Sequence, residues 1–239
     1  NFEMPRLDRF LSRTLAVKLS DVRLLLAQGR VEVDGDRATA INQVIHRFSE
    51  VRCDGRVLQG RIPRYVMLNK PACVVSATRD KQHRTVIDLL DAPWKDELHI
   101  VGRLDLNATG LLLLTNDGQW SRAVSRPASK MPKRYRVRVA RPLSEADVEA
   151  FRRGFHFGYE GVTTRPAELT ISGEFEAEVS LVEGRYHQIR RMFAQLGNEV
   201  LGIHRFAVGT VILDAELPPG QSRELTPAEV ESLRHRYRC

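Results

Sequence analysis

The sequence predicts an α+β protein made of two domains, and three observations support this class. Residues 6–60 combine two helical patterns with short strands that end in Asp-Gly turns. Glycine and proline then cluster at residues 60–64, as expected of a linker. Beyond this point, strict alternation over Lys133–Val139 predicts a strand with one basic and one apolar face. We therefore expect one domain over residues 1–60 and a second over residues 61–239.

The composition is that of a globular protein. Of 239 residues, 42% are hydrophobic and 28% are charged, enough for a sizeable core. No apolar run approaches the roughly eighteen residues that a membrane helix needs, and no secretory leader is visible. The three cysteines have no CxxC spacing, which argues against a disulfide framework or a zinc site. A reducing, cytoplasmic location is therefore expected.

The charge distribution favours a polyanionic partner. Lys and Arg number 37 against 30 acids, for a net charge of +7. Between Arg122 and Arg141 there are eight basic residues and no acid. An ordinary solvated face carries charges of both signs, so this segment predicts a surface that binds a phosphate backbone.

The first sixty residues predict a small mixed domain. Leu7, Phe10, Leu11 and Leu15 have helical spacing. Ser20 is expected to cap a second helix that Gly29 ends. Short strands follow, at residues 31–36 and around residue 51, each turning at Asp-Gly.

The second domain opens with a strand that Pro71 ends, and its centre is an uninterrupted leucine run. That run, Leu111–Leu114, predicts a strand buried on both faces because nothing polar alternates along it. The other predicted elements are, in order, a strand over 65–70, a loop over 76–83, helices over 85–90 and 119–125, the strand over 133–139, a helix from Ser144 to Gly154, a loop over 160–167, strands around 169–171 and over 175–181, a helix over 188–196, a loop over 214–224, a short helix from 226, and a basic tail over 234–238 that is expected to be disordered.

An acid stands in a short loop just before the leucine run. The stretch reads HIVGRLDLNATGLLLLTNDG, and Gly102 and Gly110 permit backbone shapes there that other residues resist. Asp105 is thus held on a loop anchored to a buried strand, where catalytic residues are often placed. From the residues alone, a helix cap or turn former remains the alternative for this Asp.

The run GRLD followed by TGLLLLTNDG resembles the signature stretch of the RsuA-type ribosomal RNA pseudouridine synthases. The resemblance extends over nearly the whole chain. GRVEVDG is similar to the alpha-L RNA-binding motif, and LNKP, the Lys-x-Tyr strand and EGRYHQIRRMF are similar to stretches of the catalytic domain. It implies a small N-terminal alpha-L RNA-binding domain, for which a structural cap is the alternative. A mixed, mainly antiparallel-sheet catalytic domain follows, which isomerises uridine to pseudouridine without a metal or cofactor.

The resemblance also implies three catalytic residues. Asp105 is the nucleophile, attacking either the ribose or the uracil ring. Tyr135 stacks against the target base, although its spacing alone favours a core aromatic; burial beside the acid would satisfy both. Arg190 pairs with Asp105 and keeps that carboxylate ionised and oriented.

The target uridine must flip out of the RNA base stack to reach these catalytic residues. Arg103 is expected to fill the vacancy and hold phosphate, with loop packing as the alternative. Further RNA contacts are expected at Thr109, Lys133, Arg185, Tyr186, His187, Arg191, Arg6, Arg9, Arg23 and Arg30.

Within the family, GRYHQ at residues 184–188 resembles the small-subunit type, as do DGQW and TTRPA. The expected substrate is therefore one uridine of 16S ribosomal RNA, met by a monomeric enzyme in an assembling particle. A 23S enzyme of the same family and a non-catalytic assembly factor are the alternatives. A DNA-binding protein is disfavoured because no helix-turn-helix or basic-zipper pattern is present.

Overall fold

The computed structural model describes residues 4–235, and the chain divides into two compact units between Pro63 and Arg64. The predicted basic tail is described only to His235, where the last helix ends; residues 236–239 lie outside the described range. Within residues 4–235, no helix is long and apolar enough to cross a membrane.

The first unit is a helix pair with a four-stranded antiparallel sheet. Its elements are α1 (Leu7–Leu15), α2 (Leu19–Ala27), β1 (Val31–Val33), β2 (Asp36–Arg37), β3 (Val51–Cys53) and β4 (Arg56–Gln59). The strand order is β2-β1-β3-β4. Asp34 and Gly35 both have positive φ, which suits a tight hairpin turn. The core includes Leu7, Leu11 and Val22, all fully buried.

The cap predicted for α2 is wrong. The helix begins at Leu19, so Ser20 lies inside its first turn. Asp21 accepts the backbone N–H of Lys18 at 3.2 Å, and this acid serves the helix start that Ser20 was expected to serve.

Within residues 64–235, the second unit contains a nine-stranded sheet and four helices. Its elements are β5 (Tyr65–Lys70), β6 (His99–Val101), β7 (Thr109–Thr115), α3 (Gly118–Ser125), β8 (Lys133–Val139), α4 (Glu145–Arg153), β9 (His156–Phe157), β10 (Val162–Thr163), β11 (Glu168–Gly173), β12 (Glu176–Leu181), α5 (Gln188–Gln195), β13 (Val200–Val208), β14 (Val211–Ile212), β15 (Ser222–Glu224) and α6 (Pro227–His235).

The large sheet is mainly antiparallel, in the order β11-β12-β8-β13-β7-β5-β15, with β14 on β13 and β6 on β7. Among the described strands of this sheet, only β13 and β7 run parallel, and Arg205 is opposite Gly110 there. Strands β9 and β10 form a separate hairpin.

The leucine run is buried on both faces, as predicted. Leu111 to Leu114 are all 0% exposed. Leu112 and Leu114 face a core that α4 and α5 cover, whereas Leu111 and Leu113 face a second core covered by α3 and α6. The strand therefore lies at the centre of a three-layer unit.

Several elements differ from the prediction. The helix expected over 85–90 is only a 3₁₀ turn at Ile87–Leu89, and the loops predicted over 160–167 and 214–224 contain β10 and β15. Phe175 precedes β12 and is 40% exposed. The longest strand, β13, was not predicted, because its residues do not alternate cleanly and its pairing with β8 has two irregularities.

Candidate active site

Asp105 lies on the loop that joins β6 to β7, here called the Asp105 loop (residues 102–108). β6 and β7 pair side by side, so the loop is fixed at both ends. Gly102 has φ +71° and Gly110 has φ +106°, both in the region that favours glycine. The Asp105 side chain is 38% exposed, which leaves its carboxylate accessible on a constrained loop.

A buried lysine lies beneath this loop. Lys70 is 0% exposed, and its ammonium donates to the carbonyls of Pro71 (2.9 Å), Leu106 (3.0 Å) and Ala108 (2.7 Å). Burial lowers the pKa of Lys70 to about 8, while the charge of Asp105 acts in the opposite direction. The sequence analysis noted Lys70 as part of the LNKP stretch, but nothing in that stretch indicated that its side chain donates hydrogen bonds to the Asp105 loop.

Two further side chains hold the loop. Ser76 donates its hydroxyl to the Leu104 carbonyl at 2.8 Å and accepts the Leu104 N–H at 3.1 Å. Arg205 donates to the carbonyls of Gly102 and Leu111, both at 2.9 Å. The role of Arg205 was not predicted, because this residue lies on β13, a strand that the sequence did not indicate.

His187 lies close to the carboxylate of Asp105. Its Nε2 lies 3.5 Å from Oδ1 of Asp105. The residue has φ +46° at the start of α5, an unusual conformation for a residue other than glycine. Its ring stacks on Tyr186, with centroids 3.9 Å apart and planes 15° apart. Tyr186 is 74% exposed, so an open aromatic surface lies beside His187.

The predicted ion pair between Asp105 and Arg190 is not formed. Arg190 instead donates to the carbonyl of Val200 at 3.1 Å. The reason is positional: Arg190 lies inside α5 beside β13, whereas His187 precedes the helix. Among the described residues, His187 is the basic side chain that lies within 4.0 Å of the Asp105 carboxylate.

Tyr135 is buried, with 9% of its surface exposed. It belongs to the same core cluster as Leu104 and Ala108, which lie on either side of Asp105 in the chain. The ring is thus a core aromatic, and its cluster extends to the Asp105 loop. This position is compatible with both interpretations of Tyr135, as a core residue and as a ring that stacks on the target base.

The RNA contacts predicted on and near the Asp105 loop have different surroundings in the structure. Thr109 lies 2.8 Å from Nδ1 of His204, a residue that the sequence did not single out. Burial, and then the charge of Arg136, lowers the pKa of His204. Arg103 is exposed on the Asp105 loop. Arg185 bonds to Glu183 at 3.2 Å.

Three predicted RNA contacts already have acidic partners. Arg191 forms two 2.7 Å bonds to Glu160 and lies over the Phe157 ring. Arg30 contacts Asp54 through two bonds, and Arg6 contacts Asp8. Their guanidinium charges are therefore less available to phosphate than the sequence suggested. By contrast, the exposed side chains of Arg9 and Arg23 have no ion-pair partner within residues 4–235.

Comparison with known proteins identifies the class. The family model described as RNA pseudouridylate synthase matches residues 64–195. Proteins named ribosomal small subunit pseudouridine synthase A are similar over 95% of the chain: 46% identical in Pseudomonas aeruginosa, covering all of that protein, and 39% in Escherichia coli K12, covering 99%. A crystal structure described as a pseudouridylate synthase aligns with a TM-score of 0.70 and 36% identity, over 95% of this chain and 99% of that one.

The chain therefore belongs to the RNA pseudouridylate synthase family, and the family predicted from the signature stretch is confirmed. The mixed, mainly antiparallel sheet predicted with it is also confirmed. Among residues 4–235, no group of three His, Cys, Asp or Glu side chains is placed to hold a metal ion.

Proposed function

We propose that this protein converts one uridine of small-subunit ribosomal RNA to pseudouridine, with Asp105 as the nucleophile. The observation that carries the proposal is the position of Asp105: a half-exposed carboxylate on a loop that Lys70, Ser76 and Arg205 hold from behind. The substrate follows from the relatives, whose name specifies the small subunit.

The reaction is an isomerisation that needs no external reagent. The bond from ribose C1′ to uracil N1 breaks, the ring turns, and a bond from C1′ to C5 forms. The proton on C5 is lost and N1 gains one, so atoms and electrons balance. Asp105 forms a transient covalent bond, at the ribose or at the uracil ring, and is released at the end.

The neighbours of Asp105 divide the remaining tasks. His187 orients the carboxylate from the front, and Tyr135 lies in the core cluster that reaches the loop. The exposed ring of Tyr186 offers a stacking surface for a nucleotide next to the flipped uridine. Arg103 is exposed on the same loop, where it can occupy the gap left in the RNA stack.

The first unit is proposed to be an alpha-L RNA-binding domain. Its helix pair and small sheet support this assignment, and Arg9 and Arg23 are exposed cations on its two helices. The enzyme would act as a cytoplasmic monomer on assembling small subunits.

The test is to incubate the enzyme with 16S and 23S RNA, each free and as partial ribonucleoprotein, and to map new pseudouridines. One new site in 16S RNA is expected. Modification of 23S RNA alone would overturn the substrate assignment and leave the chemistry intact.

Asp105→Asn is the matched test of the chemistry, because the amide has nearly the same shape without the charge. We expect pseudouridine formation to be lost while RNA affinity stays near that of the wild type. Activity within about tenfold of wild type, only ~1.4 kcal/mol in barrier, would contradict the role of Asp105.

A further inference from the structure

Two cations on adjacent strands face the same side of the sheet near the active site. Lys133 begins β8, and Tyr135, two residues later, is opposite Arg205 on β13. Side chains two residues apart on a strand share a face, and so do residues opposite each other on neighbouring strands. Leu181, opposite Lys133 on β12, lies in the same core cluster as Tyr135, so Lys133, Tyr135 and Arg205 project to one face. The register shift between Arg205 and Ala207 explains why Lys133 is nevertheless opposite Val208, which belongs to the other core.

Neither cation has an acidic partner within the described part of the chain. Arg205 is 1% exposed and uses Nε and Nη2 on two backbone carbonyls, which leaves Nη1 without a bonded partner there. The ammonium of Lys133, which is half-buried, has none either. Within residues 4–235 no buried side-chain nitrogen lacks a hydrogen-bond partner, so Arg205 Nη1 and Lys133 Nζ both reach solvent and remain open to an anion. Burial, and then the charge of Arg205, lowers the pKa of Lys133 to about 8.

Both cations lie against the segments that bring Asp105 and His187 together. Arg205 bonds to the carbonyl of Gly102, the residue that opens the Asp105 loop. Lys133 lies beside Gly184, where an added β-carbon would be 3.9 Å from its Nζ, and Gly184 is three residues before His187. The two cations therefore border the segments that hold Asp105 and His187.

We propose that Lys133 and Arg205 together bind one phosphate group of the RNA backbone next to the flipped uridine. The inference rests on the proposed function, since it takes the ligand to be the substrate RNA. A phosphodiester carries one negative charge on two outer oxygens, which can accept bonds from Lys133 Nζ and from Arg205 Nη1. Bound there, it supplies a counter-ion for the two cations and fixes the position of the nucleotide at Asp105.

The first experiment follows the reactivity of the lysines towards an amine-acylating reagent, read by mass spectrometry. At pH 8 about half of Lys133 is neutral and reactive, against less than about 1% of an ordinary lysine. Lys70 shares a pKa of about 8 but is fully buried, so it should not react and reports intact folding. Saturating RNA is expected to slow labelling of Lys133 at least tenfold, while the exposed Lys81 changes little.

The second experiment measures RNA affinity as a function of salt for Lys133→Met, with Lys81→Met as the matched control. Loss of one phosphate contact lowers the slope of log affinity against log salt by about 0.7 to 0.9. When salt is raised from about 0.05 to 0.2 M, the fold loss of RNA affinity should therefore be about threefold smaller for Lys133→Met than for the wild type. Lys133→Arg, which keeps the charge, should restore the slope.

Unchanged labelling of Lys133 in the RNA complex, or a wild-type salt slope in Lys133→Met, would overturn the phosphate site. Both measurements depend on bound RNA and not on turnover. Failure of the enzyme to modify 16S RNA would therefore overturn the proposed function without affecting these readings.

Discussion

At the scale of single residues, the Asp105 carboxylate depends on two neighbours from different elements. Lys70 holds the loop carbonyls from below, and His187 contacts the carboxylate itself. Lys70 is fully buried while the His187 side chain is 38% exposed. The two residues should therefore affect different observables: Lys70 stability and His187 catalysis.

His187→Ala is expected to lower the single-turnover rate about tenfold, equivalent to ~1.4 kcal/mol, because Asp105 loses the group that orients it. RNA affinity should change much less. Tyr186→Phe, which keeps the stacked ring, is the control. A loss of affinity with an unchanged rate would instead make His187 an RNA contact.

Lys70 predicts a specific pH dependence of stability. Its pKa in the folded protein is about 8, below the ordinary 10.5, so the unfolded chain binds more protons between these values. The free energy of unfolding of the wild type should therefore rise with pH across this window, relative to Lys70→Met, by up to about 3 kcal/mol. Urea unfolding over this pH range measures the difference, and parallel profiles would contradict it.

The sequence singled out Asp105 as the predicted nucleophile and Arg190 as its predicted partner, whereas His187, three residues earlier, lies beside the carboxylate. His187 reaches the carboxylate because its backbone adopts φ +46° just before α5 begins. Helical spacing indicates which residues share a face of α5. It gives no information on the backbone conformation of His187, which immediately precedes the helix. The roles of Lys70 and Arg205 could not be predicted for a similar reason, because their hydrogen bonds are to backbone atoms distant in sequence.

At the scale of elements, the site depends on the parallel pairing of β7 with β13. Gly110 meets Arg205 there so closely that an added β-carbon would lie 2.1 Å from the Arg205 carbonyl oxygen. That approach places the Arg205 side chain against the Asp105 loop. The sequence marked Gly110 as a special position without revealing the strand that it faces, because β13 carries no clean alternation.

Gly110→Ala should therefore destabilise the protein by about 3 kcal/mol or more, from both the clash and its φ of +106°. Gly158→Ala is the matched control: nothing lies within 4 Å of its added β-carbon, so a change within about 0.5 kcal/mol is expected. Urea unfolding of both variants is the measurement. Equal stability of the two would show that the strands separate at little cost.

At the scale of the whole molecule, each unit has its own core and its own sheet. The strands that alternate or are uniformly apolar, such as β7 and β8, could be predicted from the residues. The order of the strands within the sheet could not be predicted, because β13 pairs with strands that are distant in the chain. The functional class could be predicted because its motif is a continuous stretch, whereas the interactions that hold the site are dispersed.

The two-unit organisation supports a final prediction. A chain beginning at Arg64 retains both cores of the second unit, so it should still unfold cooperatively on heating. Its affinity for small-subunit RNA should fall, and the salt dependence of binding should flatten, because the exposed Arg9 and Arg23 are removed with the first unit. The full-length variant Arg9→Gln/Arg23→Gln is the matched control and should reproduce part of the flattening. An unchanged affinity and salt slope in the shortened chain would show that the first unit has a structural role and binds no RNA.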